Sequence, residues 1–450
     1  MPPAPRQSPG ASEMPRPHMR QRDMRQRGRP ARATGVAAIA LGLWCLALHL
    51  GQPASERVLA QVAPPATRPA AATQADARPA PRPELTPQQY ADLAHRLREA
   101  YSKPPAQWPR PTIDPGVEYV ELGLPPRPVF PSDNPYTKAK ADLGQMLFFD
   151  PRLSGSGQIS CASCHEAELG WSDGRAVSFG HGRAALRRNA PSLNNVAFRK
   201  TLFWDGRASD LEAQISGPIL AADEMHGDTD QIVQRLAAQR EYRQRFAQSF
   251  GDDKPITFRR IAQAVATYER IIVSRPSPFD HFLKGDRTAL SDAAVRGLHL
   301  FRTDARCLNC HNGPTLSDEQ FHDLGLSYYG RKYEDLGRYL ITHDPRDVGA
   351  FKTPSLRNVT RTAPYMHNGL FDLKGVLRMY NAGMATLRRK PGQMNDPLFP
   401  TKSHLLKPLG LNEHDLADLE AFLQSLEELR LRVRPPALPG ISPATSPAQP

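Results

Sequence analysis

The chain has 450 residues, 58 Lys+Arg against 46 Asp+Glu, a net charge of +12 and five cysteines. That length is enough for two ordinary domains with extra segments, and five cysteines, four of them in two close pairs, do not make a disulfide framework. Half of the charge sits in one terminal arm, and no Lys/Arg stripe with interleaved aromatics follows it, which argues against a nucleic-acid surface.

Residues 1–34 hold eight Arg against Glu13 and Asp23, a balance of +6. The uncharged apolar run GVAAIALGLWCLALHLG (35–51) comes next. A basic region ahead of a short apolar run is the pattern of an export signal, and an uncleaved inner-membrane anchor is the alternative reading of 1–51. The expected location is therefore the periplasm. Met24 would give a more ordinary signal length than Met1, and Cys45 inside the run carries no assigned role.

Residues 52–108 read as an Ala/Pro-rich tether with one helix. In LTPQQYADLAHRLREAYS (85–102), Thr86 can cap and Pro87 suits the first turn, while Leu93, Leu97 and Tyr101 recur on one face. A first domain is expected over 109–285. Its helical patterns are TKAKADLGQMLFFD, DQIVQRLAAQREYRQRFAQSF and ITFRRIAQAVATYERIIVS. A second domain over 286–432 repeats the opening of the first: helix, Gly-x-x-Leu-Phe, short loop, then Cys-x-x-Cys-His. HDLADLEAFLQSLEELR closes it as an amphipathic helix. Residues 433–450 are Pro-rich and expected to be a disordered tail. Strand-like alternation is scarce, so the predicted fold is mainly α.

The repeated pentapeptides are CASCH (161–165) and CLNCH (307–311), with first cysteines 146 positions apart. In such a motif the two thiols add to the vinyl groups of one haem, and the next histidine offers its imidazole to the iron. Cys161, Cys164, Cys307 and Cys310 are thus expected as thioethers, with His165 and His311 as proximal ligands. A four-cysteine zinc site needs no histidine after each pair. A redox dithiol usually needs one pair in a strand–helix setting. Haem attachment outside the cytoplasm also agrees with export. The predicted architecture is two cytochrome c-like haem domains related by internal duplication, behind an export signal and tether.

The intervening sequence resembles the bacterial di-haem cytochrome c peroxidases and their MauG-like relatives, from about Asn134 to Leu431. The stretches that carry the resemblance are CASCH, FGHG (179–182), RNAPSLNN (188–195), FWDGRASDLEAQ (203–214), GPILAADEM (217–225), CLNCHNG (307–313), PSLRNVTRTAPYMHNG (354–369) and VLRMYNAG (376–383).

The resemblance implies that peroxide reacts at the N-terminal haem and electrons enter through the C-terminal one. It makes Glu224 and Gln214 the distal acid/base pair, against the bland alternative of a solvated carboxylate beside Asp223. Trp204 matches the tryptophan between the haems. Asn189, Thr362 and Pro364 match oxygen donors for one calcium ion, a neutral set that calcium accepts. His181 matches a loop histidine that caps the peroxidatic iron in many resting peroxidases. Tyr380 aligns with the distal ligand of the second haem, as in MauG. Met379 is the alternative one residue away and Met384 a weaker third. Neighbouring helical residues point roughly 100° apart, so Met379 and Tyr380 cannot both face one iron. His367 is expected as a structural histidine near the haem propionates.

Three functions follow. The first is an exported peroxidase that reduces hydrogen peroxide with electrons from a small cytochrome c or cupredoxin. The second is a MauG-like enzyme that uses a high-valent state to oxidise a residue of a partner protein. The third, of a different class, is a non-catalytic di-haem electron carrier. A homodimer is a further expectation drawn from relatives.

Overall fold

The computed structural model describes residues 79–430 and 432–440. The arm, the apolar run and the tether as far as 78 lie outside the described residues. Among those described, no helix is long and apolar enough to cross a membrane. Regular structure there consists of eleven α-helices and one two-stranded antiparallel ribbon.

The first helix, α1 (Pro87–Tyr101), starts where Thr86 and Pro87 direct it. The Thr86 hydroxyl accepts from the Gln89 N–H at 3.3 Å, and the Gln89 side chain accepts from the Thr86 N–H at 2.8 Å. This reciprocal cap satisfies two otherwise free donors of the first turn.

A first lobe is built from α2 (Lys138–Phe149), α3 (Leu211–Leu220), α4 (Thr229–Ala238), α5 (Arg240–Phe250) and α6 (Phe258–Arg270). Its core holds Leu143, Leu147, Phe148, Ile215, Ile261 and Val265. The pattern read across 230–250 is two helices, not one. Ile232 and Leu236 bury one stripe and Tyr242 and Phe246 another, and the extended Gln239 between them (φ −86°, ψ 119°) resets the phase.

The second lobe is built from α7 (Pro278–Leu283), α8 (Asp292–Arg302), the short α9 (Tyr339–Thr342), α10 (Leu373–Asn381) and α11 (Glu413–Gln424). Between α8 and α10 lies the ribbon β1 (Phe321–Asp323) and β2 (Ala350–Lys352), in which His322 faces Phe351. Leu298, Phe301, Leu419 and Phe422 centre its core.

Each lobe is organised by a close helix crossing at a glycine. A Cβ on Gly144 of α2 would collide with the Ala264 carbonyl and the Tyr268 side chain of α6. A Cβ on Gly297 of α8 would collide in the same way with the Asp418 carbonyl and the Phe422 side chain of α11.

The expected boundaries need correction in two places. Leu97, Tyr101, Trp108 and Leu122 belong to the second core, so α1 and the stretch after 108 serve that lobe and not a tether or the first domain. Backbone bonds tie the stretch there: Thr112 N–H donates to Arg302 O, and Gly313 N–H to Val120 O. The first lobe begins instead near Asn134, whose amide donates to the Gln263 carbonyl of α6 at 2.9 Å. Phe279 and Phe282 of α7 also lie in the second core, which moves that lobe's start ahead of 286. The physical reason is the same throughout. These apolar faces find partners far along the chain, Phe279 on Phe422 and the stretch after 108 beside Arg302, where local composition gives no sign of them.

The Pro-rich end also departs from expectation where it is described. Val433 and Leu438 pack against the first core, and the Arg152 guanidinium donates to the Pro439 carbonyl at 2.7 Å. Residues 441–450 lie outside the described residues.

Candidate active site

A cavity of about 690 Å³ runs between the lobes and is lined by residues of both. All six motif residues, Cys161, Cys164, His165, Cys307, Cys310 and His311, reach it. Each pentapeptide forms a short turn, in which the His165 N–H donates to Cys161 O and the His311 N–H to Cys307 O. The ring nitrogens complete the arrangement. His165 Nδ1 bonds the Trp171 carbonyl at 3.0 Å, and His311 Nδ1 bonds the Leu316 carbonyl at 3.0 Å. A backbone carbonyl at Nδ1 sets the tautomer and leaves Nε2 bare for a metal. Burial lowers the pKa of both imidazoles, which keeps them neutral as iron ligation requires.

The residues therefore fit two haems. The zinc alternative would bring both cysteine pairs into one shell. Among the described residues, the one cluster of metal-sized spacing joins Cys310 to Asp318 and His322, and to no other cysteine.

Glu224 and Gln214 line the cavity with the first pentapeptide. Gln214 stands on α3, which Asp210 caps through a 2.8 Å bond to the Ala213 N–H. Glu224 sits in the turn beyond α3. Burial pushes its carboxyl above the usual value, the Arg207 guanidinium works against that, and the Asp223 charge adds to it. A carboxyl so placed exchanges protons more readily near neutral pH than a solvated one.

Trp204 also lines the cavity. Its indole N–H donates to the Asn189 carbonyl at 2.9 Å, and its own carbonyl accepts from Lys352 N–H of β2 at 2.9 Å. The indole is thus held by backbone of the first lobe while its main chain is tied to the second. Asn189, Thr362 and Pro364 all line the same cavity. The Asn189 amide nitrogen donates to the Arg175 carbonyl at 2.8 Å, which leaves its oxygen as a donor for a cation.

On α10, Leu373, Val376, Leu377 and Tyr380 turn toward the cavity, while Met379 and Met384 are absent from its lining. The spacing is the i, i+3, i+4, i+7 stripe of one helix face. Burial pushes the Tyr380 phenol well above its usual pKa, with the Cys310 and Cys307 sulfurs adding to the rise. His367 is buried and stacks on Phe351 at 3.6 Å, with Nε2 unpartnered. Burial lowers it to about 4, so it is a neutral donor at the cavity wall.

His181, like Met379 and Met384, is a sequence-derived candidate that the structure does not bring to the cavity lining. Its ring stacks on His226 at 4.5 Å, away from the cavity lining. The loop that carries it lies tight against the turn of Glu224. The His181 N–H donates to the Glu224 carbonyl at 2.7 Å, and a Cβ on Gly180 would meet the Asp223 carbonyl.

Sequence reasoning passed over Arg188. Its guanidinium bonds Asp205 at 2.6 Å and holds Asp335 through two bonds of 2.7 and 2.8 Å. The residue lies in the quoted RNAPSLNN stretch, but a partner 147 positions away leaves no local signal. Glu269, buried on α6 at the cavity wall, also went unread.

Comparison with known proteins agrees with this geometry. The family model for di-haem cytochrome c peroxidase matches residues 138–288. The methylamine utilization protein MauG of Methylorubrum extorquens is 41% identical over 314 residues, covering 69% of this chain and 84% of that protein. The chain belongs to the di-haem cytochrome c peroxidase and MauG family. The cytochrome-c peroxidase IdrP1 of Denitromonas iodatirespirans is 39% identical and covers 72% of this chain and 91% of that one. A crystal structure of a MauG-like protein associated with microbial copper homeostasis superposes with a TM-score of 0.61 at 35% identity, over 70% of this chain and 96% of that one. Membership makes the protein an oxidoreductase of the cytochrome-c peroxidase type and implies two c-type haems. The electron-carrier reading gives way to it.

Proposed function

We propose that the protein is an exported di-haem peroxidase that reduces hydrogen peroxide to water at the first-lobe haem. The observation that carries this reading is the placement of Glu224 and Gln214 on the same cavity as His165, with burial raising the Glu224 pKa. Bound haem would supply the redox chemistry that breaks the O–O bond. Glu224 takes a proton from one peroxide oxygen and returns it to the other, and the Gln214 amide orients the substrate. His311 would hold the haem that takes electrons from a small cytochrome c or cupredoxin, and Trp204, between the two motifs in the chain, lies on the same cavity wall. Export by the residue 1–51 segment places the reaction in the periplasm. A calcium ion on oxygens of Asn189, Thr362 and Pro364 would stiffen the junction of the lobes. Internal duplication accounts for the two matched glycine crossings.

A second reading is favoured by two observations. Tyr380, and not Met379, faces the cavity, and His181 is turned away from it. As the residue that would hold the second haem from its distal side, Tyr380 would favour oxidised states, where methionine would raise the potential. Such a protein would act as MauG does and oxidise a residue on a partner protein.

One titration tests both. The fully oxidised holoprotein receives one equivalent of hydrogen peroxide and is followed from the visible into the near infrared. A long-lived near-infrared band supports charge shared between the haems and the second reading. Reaction only after one haem is reduced supports the first reading, with His181 moving onto the iron at rest. No reaction in either state sinks both.

A further inference from the structure

The matched crossings give an internal comparison of the two haem sites. Ala264 stands over Gly144 as Asp418 stands over Gly297, and Tyr268 corresponds to Phe422. The next residue on α11 is Leu423, buried and lining the cavity. The next residue on α6 is Glu269, equally buried and also lining the cavity. One haem wall thus carries a leucine where the other carries a carboxyl. Replacing a leucine by an ionisable group inside an apolar wall is costly unless the group is paired, and this one is not. Its Oε2 is buried without a hydrogen-bond partner.

The charged groups facing Glu269 do not neutralise it. Arg270, next on the same helix, is engaged by Glu212 of α3 through bonds of 2.7 and 2.6 Å. Glu212 itself adds a second negative charge, and Lys140 of α2, which acts on Glu212, is turned to Asn134 Oδ1 and the Pro135 carbonyl, each at 2.9 Å. From the CASCH turn comes Cys161, which becomes an uncharged thioether when haem is attached.

We propose that Glu269 is a proton-exchanging group coupled to the redox state of the first-lobe haem, an inference that rests on the di-haem reading. Glu269 binds one proton as an electron, supplied by a one-electron donor protein, arrives at that haem. It releases the proton as the electron leaves, and no covalent bond to the haem forms or breaks. The added electron makes the pocket more negative and so favours the neutral acid. Burial already pushes the carboxyl up to about 8, with Arg270 opposing and Glu212 adding. Uptake and release therefore fall in a range the protein meets. The equivalent position of the second lobe is Leu423, which cannot exchange a proton.

The test is potentiometric and uses the holoprotein, with haem content counted by its pyridine haemochrome spectrum. Midpoint potentials of both haems, separated by their EPR signals, are measured from about pH 6 to about pH 10. In the native protein the first-lobe potential falls with rising pH at up to one proton per electron, then levels. In Glu269→Leu, which restores the second lobe's residue, and in the isosteric Glu269→Gln, that slope is lost while the second-lobe haem behaves as before. A slope that survives in both variants, or a flat native first-lobe potential with two haems bound, overturns the proposal. A preparation with fewer than two haems per chain overturns the di-haem reading beneath it.

Discussion

A group that moves a proton between two oxygens of one substrate must be charged at one moment and neutral at the next. Glu224 meets this condition because burial raises its carboxyl while Arg207 limits the rise. The sign of the pH effect follows. In the proposed reaction peroxide loses its first proton to the carboxylate, so kcat/KM for peroxide is expected to fall as the pH drops through the raised value. Glu224→Gln keeps the shape and removes the proton exchange. Turnover is expected to fall about 10²- to 10⁴-fold, the usual worth of a positioned acid/base. The acid limb disappears with it, and both haems stay bound. An unchanged limb in the variant would remove Glu224 from the chemistry.

Helix crossings decide how each haem is walled. Gly144→Ala should force α2 away from α6, at a cost of about 1–3 kcal/mol or more for an overpacked contact. Gly297→Ala should do the same to α8 and α11. The effects should separate by lobe: the first variant perturbs the absorption and EPR of the first-lobe haem, the second those of the other. Equal disturbance of both haems by either variant would mean that the crossings are not local supports.

Much at this scale was legible in the sequence. Thr86 and Pro87 start α1 as their chemistry requires, and the face of α10 can be counted from Leu373 to Tyr380. The gathering of each pentapeptide's side chains at the cavity wall was legible too, because Cys-x-x-Cys-His holds its own side chains within one turn. The allegiance of α1 was not, since its buried Leu97 and Tyr101 serve a core made mostly of residues beyond 278. The orientation of His181 was equally hidden. It depends on a backbone bond to Glu224 and a stack on His226, neither of which a local pattern announces.

The lobes form one compact unit and share one cavity, so their junction borders both haem sites. Arg188 is one cation of that junction, bonded to Asp205 and Asp335. Asp205 would keep Arg207, at 3.0 Å, if Arg188 were removed, but Asp335 would lose both of its guanidinium bonds. Burial alone would raise the Asp335 carboxyl, and Arg188 more than offsets this, so the group titrates below its usual value. A depressed carboxyl contributes stability above its unfolded pKa of about 4 and loses it as the pH falls through the lower folded value. In Arg188→Ala the sign reverses. Asp335 is then a half-stranded buried carboxylate, its pKa is raised by burial, and protonation favours the folded state. Breaking such a pair costs about 3 kcal/mol at neutral pH. The deficit should shrink as the pH approaches about 4. Urea unfolding of the two holoproteins at both pH values would show the gap narrowing on acidification. A gap of constant size would mean that Arg188 acts through its packing on Phe351, over whose ring it lies at 5.6 Å, and not through its charge.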